Sequence, residues 1–338
     1  MLPIIKKTRS RSMVGVVLLA LAAASLTLAF LPAVTIAAKA KAKLDQRTFA
    51  APEEAVNGLL AAAKADDVRE LLNILGLDAK EIISSGDEVA DKNGRELFVR
   101  MYDENHNLAG QGDARVLLEV GKDHWPFPIP IVKEAGAWRF DTREGKQEML
   151  TRRIGKNELS AIQACLAYFD AQREYAAEGG SGKGLPEYAR KFFSEPGKKD
   201  GLYWEAREGE AQSPLGPLFA AAQERGYARK TPGQRPSPYL GYYYRILTAQ
   251  GKNAPGGAHS YLVNGRMVGG FALIAYPAEY GVSGVMTFMI SHEGVVYERD
   301  LGRKTGTVAP AVKAFDPDPS WRKVEPKYLE PYLEGKGA

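Results

Sequence analysis

Between Asn157 and Gly302 the chain reads as one amphipathic helix, a long crossing rich in Gly, Pro and Tyr, and then a run of short strands ending in GVMTFMISHEGVVYERDLG. In NELSAIQACLAYFDAQREYAAEGG, the residues Leu159, Ile162, Leu166 and Phe169 recur at helical spacing, which lines up one apolar stripe on a helix that stops at Gly179-Gly180. That stripe needs a cover. The candidates are GYYYRILTAQ, GGFALIAYPA, GVMTFMIS and GVVYERDLG, rich in Tyr, Val, Ile and Phe, with turn signals at 254–257, at 280–284 and at Glu293-Gly294. A helix laid on a small antiparallel sheet is therefore expected, with Leu166 and Phe169 facing the sheet.

The preceding segment reads as a second α+β unit. Helical spacing recurs through EEAVNGLLAAAKADD, in VRELLNILG up to its stop at Gly76, and in RELFVRMYDEN. Strand patterns follow in ARVLLEVG, PIPIVKE and AWRFDTRE, separated by turn signals at 121–123 and at Ala135-Gly136. The expected organisation is an export segment at 1–40, a linker at 41–49, an α+β unit at 50–150, a second at 151–325, and a tail at 326–338. FDPDPSW, at 315–321, is read as tacking the tail onto the body.

Among 338 residues, 45% are hydrophobic and 25% charged, the balance of a packed globular protein. The net charge of +4 owes much to Lys6, Lys7, Arg9 and Arg11, which precede the folded part, so a nucleic-acid partner is not implied. Cys165 is the single cysteine, which excludes an intramolecular disulfide, and its place among apolar helical positions reads as buried filler. Residues 1–40 have the form of an export signal: a basic stretch, an uncharged apolar run from Met13 to Ala38, and small residues at the end. The run is long for a cleaved signal and just sufficient to span a bilayer, so both fates stay open. The expected location is periplasmic or secreted, with membrane contact only through residues 13–38 if they are retained.

Motifs that carry chemistry are sparse. GGSGKG at 179–184 resembles a phosphate loop, but Lys183 precedes Gly184 instead of Ser or Thr, and the segment leaves a helix; it reads as a helix stop and loop. Asp87 and Asp91 could offer oxygens to a cation, yet their spacing is not that of a calcium loop, and Ser85 or Asp87 reads more simply as a helix cap. The four histidines are scattered without metal-ligand spacing, so no metal and no cofactor are expected. Arg152 and Arg153 precede Asn157 and Glu158, where they could pair with Glu158 or meet an anion at the unit boundary. KKDGLYW places Asp200, Tyr203 and Trp204 beside the Pro-constrained SPLGPL, either to pin the crossing or to line a groove. His259, in APGGAHSY, is the one titratable group of catalytic type that could lie nearby. No nucleophile with a fixed base can be named, so the catalytic set is empty.

Three resemblances follow from these residues. PEEAV, the acidic break and Trp138 in GAWRFD resemble, over about 50–145, the cone-shaped fold of nuclear-transport-factor-2 type, which hosts both enzymes and binding modules. Ala171 to Tyr175, Gly241 to Leu247 and Ala275 to Val296 resemble the globular region of type IV pilin-like and pseudopilin-like proteins. Pilins join their export helix directly to this helix, whereas here residues 39–156 intervene, so a filament subunit is not expected. From about Phe49 to Trp321 the chain is identified as a member of the bacterial DUF 2950 family, on DHWPFPIPIVKEAGAWRFDT, RRIGKNELSAIQACLAYFDAQREYA, KKDGLYWEAREGEAQSPLGPL, the long segment from Leu247 to Phe288, and FDPDPSW. That resemblance implies an exported protein and assigns no activity. The expected role is a non-enzymatic cell-envelope binding or assembly module, with an envelope protein or a small ligand as partner. The alternative is an envelope hydrolase with its site in the 198–218 and 254–261 loops.

Overall fold

The computed structural model describes residues 46–178, 186–207, 209–228 and 236–330. The export segment, most of the linker, the GGSGKG loop and the end of the tail lie outside the described residues. Pro52 opens α1 (Pro52–Lys64) where its missing N–H costs nothing, and Glu53 and Glu54 complement the positive end of the helix dipole. Asp67 caps α2 (Val68–Leu75) by accepting from the Glu70 N–H, and Gly76, at φ 80°, ends it. After the one-turn α3 (Lys80–Ile83) comes α4 (Glu88–Glu104), whose cap is Asp87. The helix read at RELFVRMYDEN thus begins earlier, at Glu88, behind the cap expected of Asp87. Its polarity reflects exposure, while the cap at Asp87 and the acids Glu88 and Asp91 supply the start signal.

Five antiparallel strands follow: β1 (His106–Gly110), β2 (Arg115–Val120), β3 (Trp125–Pro126), β4 (Ile131–Glu134) and β5 (Ala137–Phe140). Their order is β1-β2-β4-β5, with β3 also paired to β2. Val116, Leu118 and Val120 alternate inward along β2 and join Ile131, Phe140 and the apolar faces of α1 and α2 in one core. Phe49 and Trp138 exchange two backbone hydrogen bonds of 2.8 Å, which close the outer edge of β5.

From β5 the chain passes straight into α5 (Thr142–Ala177), a helix that begins well before the expected start at Asn157. Thr142 Oγ1 donates to Leu75 O at 2.6 Å and fixes this beginning against α2. Residues 143–156 carry no apolar stripe because most of that stretch is exposed, but Arg, Glu, Lys, Gln, Met and Leu favour the helix intrinsically. A side chain at Gly145 would sit 2.4 Å from Pro128 O, so only glycine allows the helix to pass the first sheet.

The second lobe uses the rest of α5. Its buried line is Ala161, Cys165, Tyr168, Gln172 and Tyr175, accompanied by Ile162 and Leu166. Leu159, expected on the inner stripe, is 40% exposed; Phe169 is partly buried against the core. Following α6 (Gly216–Glu224) are β6 (Tyr242–Leu247), β7 (Ala249–Gln250), β8 (His259–Ser260), β9 (Leu262–Val263), β10 (Arg266–Met267), β11 (Ala272–Pro277), β12 (Met286–Ser291), β13 (Val296–Asp300), α7 (Thr305–Ala311) and β14 (Arg322–Lys323). The main sheet is antiparallel in the order β14-β13-β12-β11-β6, so β6 is an edge. Phe315 is buried and exchanges backbone hydrogen bonds of 2.9 Å with Ala249 and Gly251, which ties the end of the chain to the lobe. The architecture is α+β, with helices against antiparallel sheets in both lobes. Among the described residues, no helix is long and apolar enough to cross a membrane.

Candidate functional site

The crossing between α5 and β6 is pinned residue by residue. Gln172, fully buried, reads the backbone of Ala189: its Oε1 accepts the Ala189 N–H and its Nε2 donates to Ala189 O, both at 2.8 Å. The same Nε2 donates to Tyr168 Oη, and that hydroxyl donates to Ala272 O, so one polar chain joins crossing, helix and sheet. Further along, Tyr203 N donates to Phe192 O and Ser194 N to Tyr203 O, which folds the crossing back on itself. Gly201 permits that return, since a Cβ there would lie 2.7 Å from the Phe193 backbone.

This folding stacks Phe193, Tyr203 and Phe219 into a cluster with ring centroids 4.6 to 5.9 Å apart. The cluster walls a cavity of about 370 Å³, within the range of small-molecule sites. Tyr168 of α5, Tyr244 of β6 and Leu273 of β11 line one side of the β6 edge; Tyr243, Arg245 and Tyr276 line the other. Phe192, Tyr227 and Tyr239 complete the aromatic lining among the described residues. Arg245 is the one charged side chain among the described lining residues.

Two polar groups in this lining lack partners. The Tyr244 hydroxyl is buried with no hydrogen bond, and burial holds its pKa well above the ordinary phenol value. Arg245 spends its Nη2 on the carbonyls of Ala309 and Val312, while its buried Nε has no acceptor. Native structures rarely leave such groups orphaned, because each costs the desolvation of the group without return.

A strained turn at the start of β6, clamped from the other lobe, shapes the cavity. Tyr239 and Tyr242 exchange backbone hydrogen bonds around Leu240 (φ 51°) and Gly241 (φ 81°), the double positive φ of a tight hairpin turn. Leucine is unfavourable in that region. Asp87 offsets the cost: its Oδ2 accepts the Gly241 N–H at 2.8 Å and the Tyr227 hydroxyl at 2.9 Å, and Tyr227 Oη accepts the Leu240 N–H. Asp87 is therefore both the cap of α4, through the Ala90 N–H, and the clamp on this turn. Nearby, burial pushes the Asp91 carboxyl up, while the Ser85 N–H and Ser85 side chain, Arg153 and Arg95 draw it down.

The residues singled out from sequence are dispersed. Tyr203 lines the cavity. Trp204 is buried with Lys199 Nζ 5.2 Å above its ring, and its Nε1 lacks a partner. Burial pushes Asp200 up, but Lys191 at 2.7 Å and the Glu195 N–H outweigh it and hold the carboxyl below its ordinary value. His259 is exposed on β8, its ring nitrogens 3.3 and 3.2 Å from the carbonyls of Gly257 and Gly269. Arg152 pairs with Glu148 on the surface of α5, whereas Arg153 donates to the carbonyls of Glu81 and Ile82 at the end of α3. Glu158, expected near a helix start, sits in mid-helix and accepts the N–H groups of Val285 and Met286, each at 2.9 Å. Cys165 is fully buried, and burial pushes its thiol up to about 12, so it carries no thiolate at neutral pH. Among the described residues, no three His, Cys, Asp or Glu side chains gather to hold a metal ion.

Sequence reasoning missed Tyr168, Phe219, Tyr227, Tyr239, Tyr243, Tyr244 and Arg245. The signal available was the concentration of tyrosine from 227 to 244, which alternation alone assigns to a strand. Fold and cavity together define an α+β protein with an aromatic chamber at a sheet edge. Residues 46–324 match the family described as Protein of unknown function (DUF2950), and the chain belongs to that family. No curated protein and no solved structure matches it.

Proposed function

We propose that the protein is an exported, non-enzymatic binding or assembly module of the cell envelope, and that its ligand enters the aromatic cavity. The observation that carries this reading is the buried, unpartnered Tyr244 hydroxyl in a chamber lined mainly by aromatic and apolar side chains: a ligand acceptor would satisfy it, and the rings would supply the apolar contact. Export rests on the basic, apolar and small-residue pattern of residues 1–40. The hydrolase alternative has weaker support, since it needs Asp200 beside His259 and a hydroxyl, and Asp200 is engaged by Lys191 and Glu195. The pilin-like resemblance of the second lobe is read as an assembly-type scaffold without filament packing, because the first lobe separates residues 13–38 from the covered part of α5.

Titration of the purified protein with the neutral dye N-phenyl-1-naphthylamine tests the site. Saturable binding at one site is expected, lost in Leu218→Trp, which fills the chamber, and retained in Leu159→Ala, which lies on an exposed helix face. No saturable binding, or equal binding by a folded Leu218→Trp variant, overturns the reading. Fractionation of the native cell tests export: full-length chain in the soluble cytoplasm overturns it.

A further inference from the structure

Resting on the cavity reading above, we infer that the open stretch of β6 receives a short extended peptide segment of another protein as an added strand, with its side chains in the aromatic cavity. The pairing pattern identifies the free groups. Gly241 O accepts from Ala278 N, so the odd-numbered residues of β6 face β11, while Tyr242 and Thr248 turn their backbone groups outward to Tyr239 and Tyr261. By the same alternation, the N–H and C=O of Tyr244 and Ile246 point away from the sheet. No hydrogen bond satisfies them among the described residues.

Among the described residues, β6 lacks outer backbone partners only here. At one end the Tyr239–Tyr242 turn closes it, and at the other Thr248 O accepts the Tyr261 N–H. The arm leaving the turn does not continue the ladder: Ser237 lies between Pro236 and Pro238, whose φ near −65° departs from the roughly −140° of an antiparallel strand. The arms splay, and residues of both line the cavity. An unpaired edge bordered by such a chamber is what strand addition uses, with main-chain bonds for affinity and alternate side chains for specificity.

The chemistry of the partner follows from the two faces. A strand beside β6 sends alternate side chains to opposite faces of the sheet. On one face they meet Tyr244, Leu273 and Tyr168, which suit a large apolar or aromatic residue. On the other they meet Tyr243, Tyr276 and the unpartnered Nε of Arg245, which is the one charged side chain in the described lining and suits an acidic residue. The occupant is thus an extended segment alternating apolar and acidic residues.

Amide hydrogen exchange by NMR and selection from a displayed random heptapeptide library test this. In the free protein the Tyr244 and Ile246 amides are expected to exchange much faster than those of Tyr243 and Arg245; slow exchange of both means that the chain covers its own edge, and overturns the proposal. Selected peptides are expected to alternate apolar and acidic residues, to protect the Tyr244 and Ile246 amides, and to bind about tenfold or more weakly when N-methylated at alternate backbone amides. Enrichment of peptides insensitive to N-methylation, or no enrichment, overturns strand addition. Dye binding without peptide binding leaves the cavity reading standing and removes this inference; loss of both removes the two together.

Discussion

At the outer edge of β5, Phe49 exchanges two backbone hydrogen bonds with Trp138, whereas at β6, the corresponding edge of the second sheet, the outward backbone groups of Tyr244 and Ile246 have no partner among the described residues, and Tyr244 lines a cavity. The cores behind these edges differ in the same sense. Behind β5 the buried side chains are largely aliphatic and small, drawn from α1, α2 and the sheet. Behind β6 the cluster is also aliphatic but holds large rings such as Tyr168, Tyr242, Tyr261, Phe271 and Phe288; one buried phenol beside it has no partner, and a charged residue borders the gap. The first sheet is finished at β5 by the chain's own Phe49; among the described residues, the second is unfinished at β6. The contrast teaches where an outside molecule has something to add.

The largest effect is expected in the closed lobe. Phe140 is fully buried at the end of β5, and Phe140→Ala should lower stability by about 3–5 kcal/mol. Denaturant unfolding measures it. A loss below about 1 kcal/mol would mean that the first core has slack and that the contrast between the lobes is false.

Next comes the residue that joins the lobes. Asp87→Ala removes the acceptor for the Ala90 and Gly241 N–H groups and for the Tyr227 hydroxyl, and should cost about 3 kcal/mol. The same change releases the turn at Leu240, so dye affinity should fall more than it does in Phe140→Ala compared at equal stability. Unchanged dye affinity in a folded Asp87→Ala protein would show that the cavity keeps its shape without the first lobe.

Within the open lobe, two positions on one helix sharpen the boundary of its core. Leu166 is buried and Leu159 is 40% exposed, so Leu166→Ala should cost about 2 kcal/mol or more and Leu159→Ala less than about 0.5 kcal/mol. Equal midpoints for the two variants would mean that the helix face is assigned wrongly.

These positions also mark what the sequence could disclose. Ile162 and Leu166 were readable because they are aliphatic and helically spaced. Cys165 was readable too, as buried filler, but Tyr168, Gln172 and Tyr175 complete the buried line, and two phenols and an amide do not register as an apolar stripe. Their polar atoms are acceptable inside because Gln172 and Tyr168 satisfy each other and the chain around them. The start of α5 was hidden for the opposite reason: its first turns are exposed and carry no periodicity, and tertiary contacts through Thr142 and Gly145 set the boundary. Asp87 could be read as a cap, which is local, but not as the clamp on Gly241, which is a long-range contact. Likewise Tyr203 could be singled out within its own segment, whereas the cavity exists only because α5, the crossing, α6 and β6 bring distant rings together.

The smallest change in stability separates the two lobes most sharply. In the closed core, hydroxyls and amides have partners, so deleting one costs stability. Tyr244→Phe deletes a buried hydroxyl that bonds to nothing, and removing that unsatisfied group should stabilise the free protein by about 1 kcal/mol. If the hydroxyl is reserved for a ligand, the same variant should bind an acceptor-bearing ligand more weakly while binding the neutral dye as before. The two measurements are independent: thermal unfolding reads the first and titration the second. Destabilisation by Tyr244→Phe would mean that the hydroxyl already has a partner within the folded protein, and the β6 edge would then be as complete as the β5 edge.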